Sequence, residues 1–227
     1  MLDDDLPPLS FPSHEGQAQW LVREALQRKG HTVRFEAVPW ARCILGVEHG
    51  PYDAALGAGA NPKFFSFMRF PLRNAEVDHS KILGSITQIV VRRPGTRPDW
   101  NGENFLGLKT AVMYRRGYAS VEKKLLDLGV PGNSESNSDE QSVKKLLAGR
   151  ADVAIIQIET AQAMLEQSAY KGKFEILAHP FLELPLYLGV SRLRYERDPR
   201  FVEALWTDIR DLRASPEWRV LAPHLAR

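Results

Sequence analysis

The sequence predicts an α/β protein of two lobes, with mostly parallel sheets flanked by helices. Three observations carry that expectation. Helix-period and strand-period segments alternate along nearly the whole chain. Gly50-Pro51-Tyr52-Asp53-Ala54-Ala55-Leu56 and Gly149-Arg150-Ala151-Asp152-Val153-Ala154-Ile155 share the pattern Gly-x-x-Asp-small-Ala-aliphatic, each after a helix stop and before an apolar strand. A chain of 227 residues, 44% hydrophobic and 26% charged, is long enough for one to two domains with real cores.

The elements follow in order. Gln17 to Lys29 places Leu21, Val22, Ala25 and Leu26 on one helical face, and Gly30 stops it. His31 to Val38 alternates through Val33, Phe35 and Ala37 as a half-buried strand would. A short helix over 41–48 is broken by Gly50-Pro51, and Asp53 to Leu56 reads as a buried strand running into Gly57-Ala58-Gly59-Ala60. Ile86 to Val91 and Leu108 to Met113 read as strands, and Ala119 to Leu128 as a helix with Val121, Leu125 and Leu128 on one face. Ser138-x-x-Gln141 predicts a capping box opening a helix that stops at Gly149. Strands over 152–156, 174–177 and 186–190, a helix over 160–168, and helices from about Arg200 and Glu217 complete the chain.

Thirty basic against 28 acidic residues leave a net charge of +2, so no strong field favours nucleic acid or an anionic membrane. Cys43 is the only cysteine, which excludes an internal disulfide and any multi-thiolate zinc site. The six histidines show neither i, i+4 pairing nor clustering with the cysteine, so neither metal nor cofactor is expected. There is no Walker loop, no Gly-x-Ser-x-Gly elbow and no Gly-x-Gly-x-x-Gly at a helix start. Lys123-Lys124 and Lys144-Lys145 read as solvated helix faces, and the denser run Arg192, Arg194, Arg197, Arg200 as a solvated surface or, alternatively, a partner-docking surface. No stretch approaches 18 consecutive apolar residues, and Met1 is followed by Leu2-Asp3-Asp4-Asp5. The expected location is periplasmic with the export signal outside this sequence, or cytoplasmic if Met1 is the true start.

The chain resembles the extracytoplasmic solute-binding proteins of bacterial ABC transporters, of the family that includes polar amino-acid binders. The resemblance rests on Pro7-Pro8, Val38-Pro39-Trp40-Ala41-Arg42, Tyr52-Asp53-Ala54-Ala55-Leu56-Gly57, Leu106-Gly107-Leu108-Lys109, Arg116-Gly117-Tyr118, Ser138-Asp139-Glu140-Gln141, Leu146 to Asp152 and Pro185-Leu186-Tyr187-Leu188, in the family's order. It implies a type II periplasmic-binding-protein fold with two crossing hinge strands. Residues 1–90 plus 188–227 would form a discontinuous lobe one and 91–187 lobe two, with the ligand in the cleft between them. It further implies a monomer that takes a small-molecule ligand and works with a transporter membrane component or a sensor protein. Where the family's amino-acid binders carry an Arg for the ligand carboxylate, this chain has Phe64; where they carry an Asp for the ligand ammonium, it has Gln157. The implied ligand is therefore small and polar or anionic, and not a standard α-amino acid. The alternatives are an enzyme on the same fold, resembling cyclohexadienyl dehydratases with Glu159 or Glu140 as acid or base, and a docking domain that has lost its ligand.

Nine residues are expected at the ligand site. Trp40 and Arg42 follow a Pro at a strand-to-helix turn, where an indole face and a guanidinium border a cleft, though either also serves as a surface residue. Gly57 and Asn61 belong to a Gly-Ala run that brings backbone N–H groups to an anion or simply makes a tight strand exit. Arg116, Gly117 and Tyr118 lie between a strand and a helix, where open α/β sheets bind ligands. Gln157 and Glu159 end a buried strand and offer neutral and acidic hydrogen-bonding groups.

Overall fold

The computed structural model describes Met1 and residues 5–226, and it divides into two compact units, 1–85 with 184–227 and 86–183. Unit 1 therefore contains both ends of the chain, and unit 2 is one continuous segment.

In unit 1, α1 (Gln17–Gln27) buries Ala18, Leu21, Val22 and Ala25, the face that its periodicity marks out. The Gln19 side chain accepts from the Gly16 N–H at 2.8 Å and so serves a helix-start donor. The expected strand over His31–Val38 is not found: among the described residues, 31–37 carry no strand assignment and Val38 makes a single bridge. Its alternation is weak physically, because Val33 and Phe35 are only half-buried and Ala37 is exposed. Helix α2 (Trp40–His49) ends at Gly50, whose φ of 104° is the left-handed cap that glycine adopts freely. Strand β1 (Ala54–Gly59) follows. Then come β2 (Met68–Arg69) and a small hairpin of β3 (Leu72–Arg73) and β4 (Glu76–Val77), none of which the sequence patterns single out. Val38, Cys43, Val47, Ala55, Ala58, Met68, Phe70 and Tyr187 form its core.

The chain enters unit 2 within β5 (Gly84–Arg92). A second small hairpin pairs β6 (Asp99–Trp100) with β7 (Phe105–Leu106). Strand β8 (Val112–Arg115) begins later than the expected Leu108, because the Lys109 and Thr110 amides donate to the Asp152 carboxylate at 2.6 and 3.0 Å instead of entering a ladder. Helix α3 (Ala119–Asp127), β9 (Gly132–Ser136), α4 (Asp139–Leu147), β10 (Val153–Gln157) and α5 (Ile158–Glu166) complete the alternation. The segment Gly132-Asn133-Ser134-Glu135-Ser136 has no apolar residue to flag it as a strand, yet it pairs in parallel with β8 as an edge. The hydrogen-bonded order is β5-β10-β8-β9, parallel across β10-β8-β9 and antiparallel between β5 and β10. Ile89, Val91, Ala154 and Ile156 enter one core, and Val90, Val153 and Ile155 enter another, so both faces of the sheet are covered. That is why Ile89–Val91 and Val153–Ile156 read as unbroken apolar runs.

One strand, β11 (Glu175–Ser191), replaces the two separate strands expected over 174–177 and 186–190, and the chain returns to unit 1 within it. Its C-terminal part pairs antiparallel with β1, from Ala54↔Val190 to Gly59↔Leu186, and with β2 at Val190↔Arg69. The pairing is therefore mixed, with parallel ladders confined to the three strands joined by helices. The ladders of β10 with β5 and of β1 and β2 with β11 are antiparallel. Helices α6 (Arg192–Arg197), α7 (Pro199–Ala214) and α8 (Pro216–Leu221) follow; α7 buries Val202, Leu205, Trp206, Ile209 and Leu212, and α1 packs against it. Among the described residues no helix is long and apolar enough to cross a membrane.

Candidate functional site

Three parallel strands of unit 2 end at one edge of their sheet. Each hands the chain to a helix: β8 to α3 through Arg116-Gly117-Tyr118, β9 to α4 through Asn137-Ser138, and β10 directly to α5. Gly117 has a φ of 91°, which lets the chain turn sharply out of β8. The Ser138 hydroxyl accepts from the Gln141 N–H at 3.1 Å, as a helix cap should, but the Gln141 side chain reaches the Asn137 N–H rather than Ser138.

Asp139, the first residue of α4, joins these turns. It is buried, and its carboxylate accepts from the Tyr118 hydroxyl at 2.9 and 3.0 Å and from the Gln157 N–H at 2.8 Å. Burial raises the Asp139 pKa, opposed by those same hydrogen bonds. Burial and the neighbouring carboxylate both push the Tyr118 phenol upward, so this hydroxyl stays a donor. The Arg115 guanidinium carbon stands 5.9 Å from the Tyr118 ring centroid. The structure thus brings Tyr118 and Gln157 together through a carboxylate that the sequence reading did not single out. The available signal was an acidic residue directly after the Ser138 cap, facing the end of an open α/β sheet.

Around this lock lie groups with spare capacity. The Arg116 backbone N–H is held by the Ser136 carbonyl at 2.8 Å, while its side chain is exposed. Gln157 lies opposite Gln88 in the β10–β5 ladder. Gln88 is 3% exposed and its Oε1 has no hydrogen-bond partner among the described residues; the same holds for Oε2 of half-buried Glu159. Burial pushes the Glu159 carboxyl above its ordinary range. Gln88 was missed because it sits beside Thr87 in a strand that runs on into Ile89-Val90-Val91, where a buried amide is itself the clue. Glu140 is already committed: hydrogen bonds from Tyr170 at 2.7 Å and Lys144 at 2.9 Å hold its carboxyl low.

In unit 1, Trp40 is half-buried at the first position of α2 and packs against the core, and Arg42 is exposed. Gly57 sits at a bulge in β1 between Leu56 and Ala58 with a φ of 80°. The Asn61 Oδ1 accepts from the Lys63 N–H at 3.0 Å, so it caps the turn at Pro62–Phe64. Phe64 packs against that unit's core, with its ring 5.9 Å from that of Phe67.

No family model matches the chain, and no curated protein matches it. Solved structures do. One is the GluR0 ligand-binding core from Nostoc punctiforme in complex with L-glutamate, at 12% identity and a TM-score of 0.67, covering 97% of this chain and 95% of that one. A second is a histidine kinase sensor domain with similarity to periplasmic binding proteins, at 15% identity and 0.67, covering 98% and 92%. A third is an ancestral amino acid-binding protein described as a precursor of cyclohexadienyl dehydratase, at 16% identity and 0.66, covering 100% and 93%. The fold is thus the mixed α/β fold of the two-lobe periplasmic-binding-protein type. At these identities the likeness speaks to fold alone.

Proposed function

We propose that this protein is a solute-binding protein that closes on a small polar or anionic ligand, serving uptake through an ABC-type transporter or signalling to a sensor partner. The observation that carries the reading is the edge where β8, β9 and β10 end. It offers an exposed guanidinium at Arg116, the N-termini of α3 and α5, and acceptor oxygens on Gln88 and Glu159 that have no partner among the described residues. The guanidinium and helix starts suit the anionic part of a ligand, and the acceptor oxygens suit its N–H or O–H groups. Trp40, Arg42, Gly57 and Asn61 are assigned to the unit 1 side of the same ligand. A ligand engaging groups of both units favours the closed state by its differential affinity for it. Phe64 and Gln157 stand where an α-amino acid would need a cation and an anion, which argues against such a ligand. We assign a monomer without cofactor or metal, working in the periplasm.

The fold likeness to a glutamate-bound core and to a sensor domain supports this class of function. The enzymatic alternative keeps one foothold, because Glu159 is half-buried with a raised pKa, as a general acid needs. Thermal melts against a metabolite panel, with turnover assays on each hit, separate the readings. A polar or anionic metabolite should raise the melting temperature and be recovered unchanged. Conversion of the hit would establish the enzyme, and stabilisation only by common amino acids would overturn the ligand assignment.

A further inference from the structure

Helix α5 begins without a side-chain cap. Its N-cap residue, Gln157, makes no capping bond through its amide, and the Gln157 N–H is already taken by Asp139. The N–H groups of the first turn, Ile158 to Thr160, have no carbonyl partner within the helix, so this end of α5 presents donors.

Two acceptors flank those donors. Gln88 and Gln157 are Cα partners in the antiparallel ladder of β5 and β10, so their side chains stand on one face of the sheet, the face that Val90, Val153 and Ile155 share. Gln88 is 3% exposed, and its Oε1 has no hydrogen-bond partner among the described residues. Glu159, the second residue of α5, is half-buried, and its Oε2 is likewise without one. A buried acceptor left unpaired is costly, so a ligand that donates to these oxygens recovers free energy that the protein alone forgoes.

Polarity then selects the group that fits. An ammonium would face the positive end of the α5 dipole. Burial also disfavours charge on Glu159, which removes the anion an ammonium would need. A carboxylate would suit the helix start but would set its second oxygen against the oxygens of Gln88 and Glu159. An acceptor oxygen and an NH2 on one carbon satisfy both sides: the oxygen accepts from the first turn of α5, and the NH2 donates to Gln88 Oε1 and Glu159 Oε2.

We infer that the start of α5, with Gln88 and Glu159, is a subsite for a primary amide, O=C–NH2, at one end of the ligand. The inference rests on the solute-binding reading above and narrows it. Arg116 and the start of α3 serve the anionic end, whereas the start of α5 serves a neutral one, and the ligand class is an organic acid with a terminal carboxamide.

The test is calorimetry on the 227-residue chain with succinamate and glutaramate. Each is compared with its diacid, succinate or glutarate, and with its methyl ketone, levulinate or 5-oxohexanoate, which put an oxygen or a methyl group in place of the NH2. At least one amide should bind about tenfold or more tighter than both of its counterparts, and Gln88→Leu should erase that preference. A diacid or methyl ketone that binds as tightly as its amide overturns the subsite while leaving the solute-binding reading standing, and so does a preference retained in folded Gln88→Leu. If that variant does not fold, the ranking on the unaltered chain decides. If none of the six compounds binds, the hits of the metabolite panel decide: a hit bearing a primary amide supports the subsite, and hits that all lack one overturn it. A panel without any hit removes the solute-binding reading and the subsite with it.

Discussion

Asp139→Ala removes the acceptor that holds two turns of unit 2 in register. It strips the partner from the Tyr118 hydroxyl and from the Gln157 N–H. A buried donor left without an acceptor costs about 1–3 kcal/mol, and there are two such donors. Part of that is offset, because the buried carboxylate carries a desolvation cost of its own, visible in its raised pKa. The net loss should be about 2–4 kcal/mol, read by urea unfolding with amide exchange in α4 identifying where it falls. Tyr118→Phe should cost about 1 kcal/mol, and because both variants cut the same bond, the double variant should fall short of additivity by a similar amount. The pH dependence has a definite sign. Burial holds the folded pKa above the unfolded value of about 3.9. Stability from this group is therefore full below about pH 3.9 and is lost as pH rises through the raised folded pKa. Asp139→Asn should remove that slope. Additivity within about 0.5 kcal/mol, or an Asp139→Ala loss below that, would refute the lock.

Four further outcomes are expected. Common L-amino acids should fail to bind below about millimolar concentration, since an unpaired charge costs several kcal/mol to bury; submicromolar binding by calorimetry would count against the assignment of Phe64 and Gln157. Arg116→Ala should weaken an anionic ligand by about tenfold to a hundredfold, with folding intact by circular dichroism. Arg93→Met should destabilise α4 by about 1–3 kcal/mol in exchange measurements, because the guanidinium donates to the Leu146 carbonyl and, at 2.7 Å, to that of Ala151. Gly46→Ala, ordinarily favourable in a helix by about 1 kcal/mol, should instead lower the melting temperature, because its Cβ would fall 2.1 Å from Cδ2 of Tyr52.

Legibility followed burial. The strand segments of unit 2 that are covered on both faces, Ile89–Val91 and Val153–Ile156, announce themselves as apolar runs, and the helix faces of α1, α3 and α4 follow from their periodicity. The edge strand β9 was invisible, since its pairing is backbone alone and its side chains are polar or glycine. The two expected strands fused into β11 because His179 and Pro180, which resemble a break, lie on an exposed stretch that a ladder tolerates. At the candidate site, Tyr118 and Gln157 are within reach of sequence reasoning through their place at strand ends. Asp139 is not, because its role depends on a meeting of three turns that only the strand order β10-β8-β9 creates.

The division of the chain has a consequence for biosynthesis. Strand β1 finds its partner in the last part of β11, beyond the whole of unit 2. At synthesis rates of about 5–20 residues per second, the chain between Gly59 and Leu186 takes on the order of 6–25 s to emerge. Throughout that interval the N-terminal half of unit 1 waits with β1 unpaired on the side that β11 will take, while unit 2, contiguous and locally connected, is free to fold as soon as it appears. The nascent chain therefore completes its second unit before its first, and its exposed apolar strand is a natural client for a chaperone until residue 191 arrives.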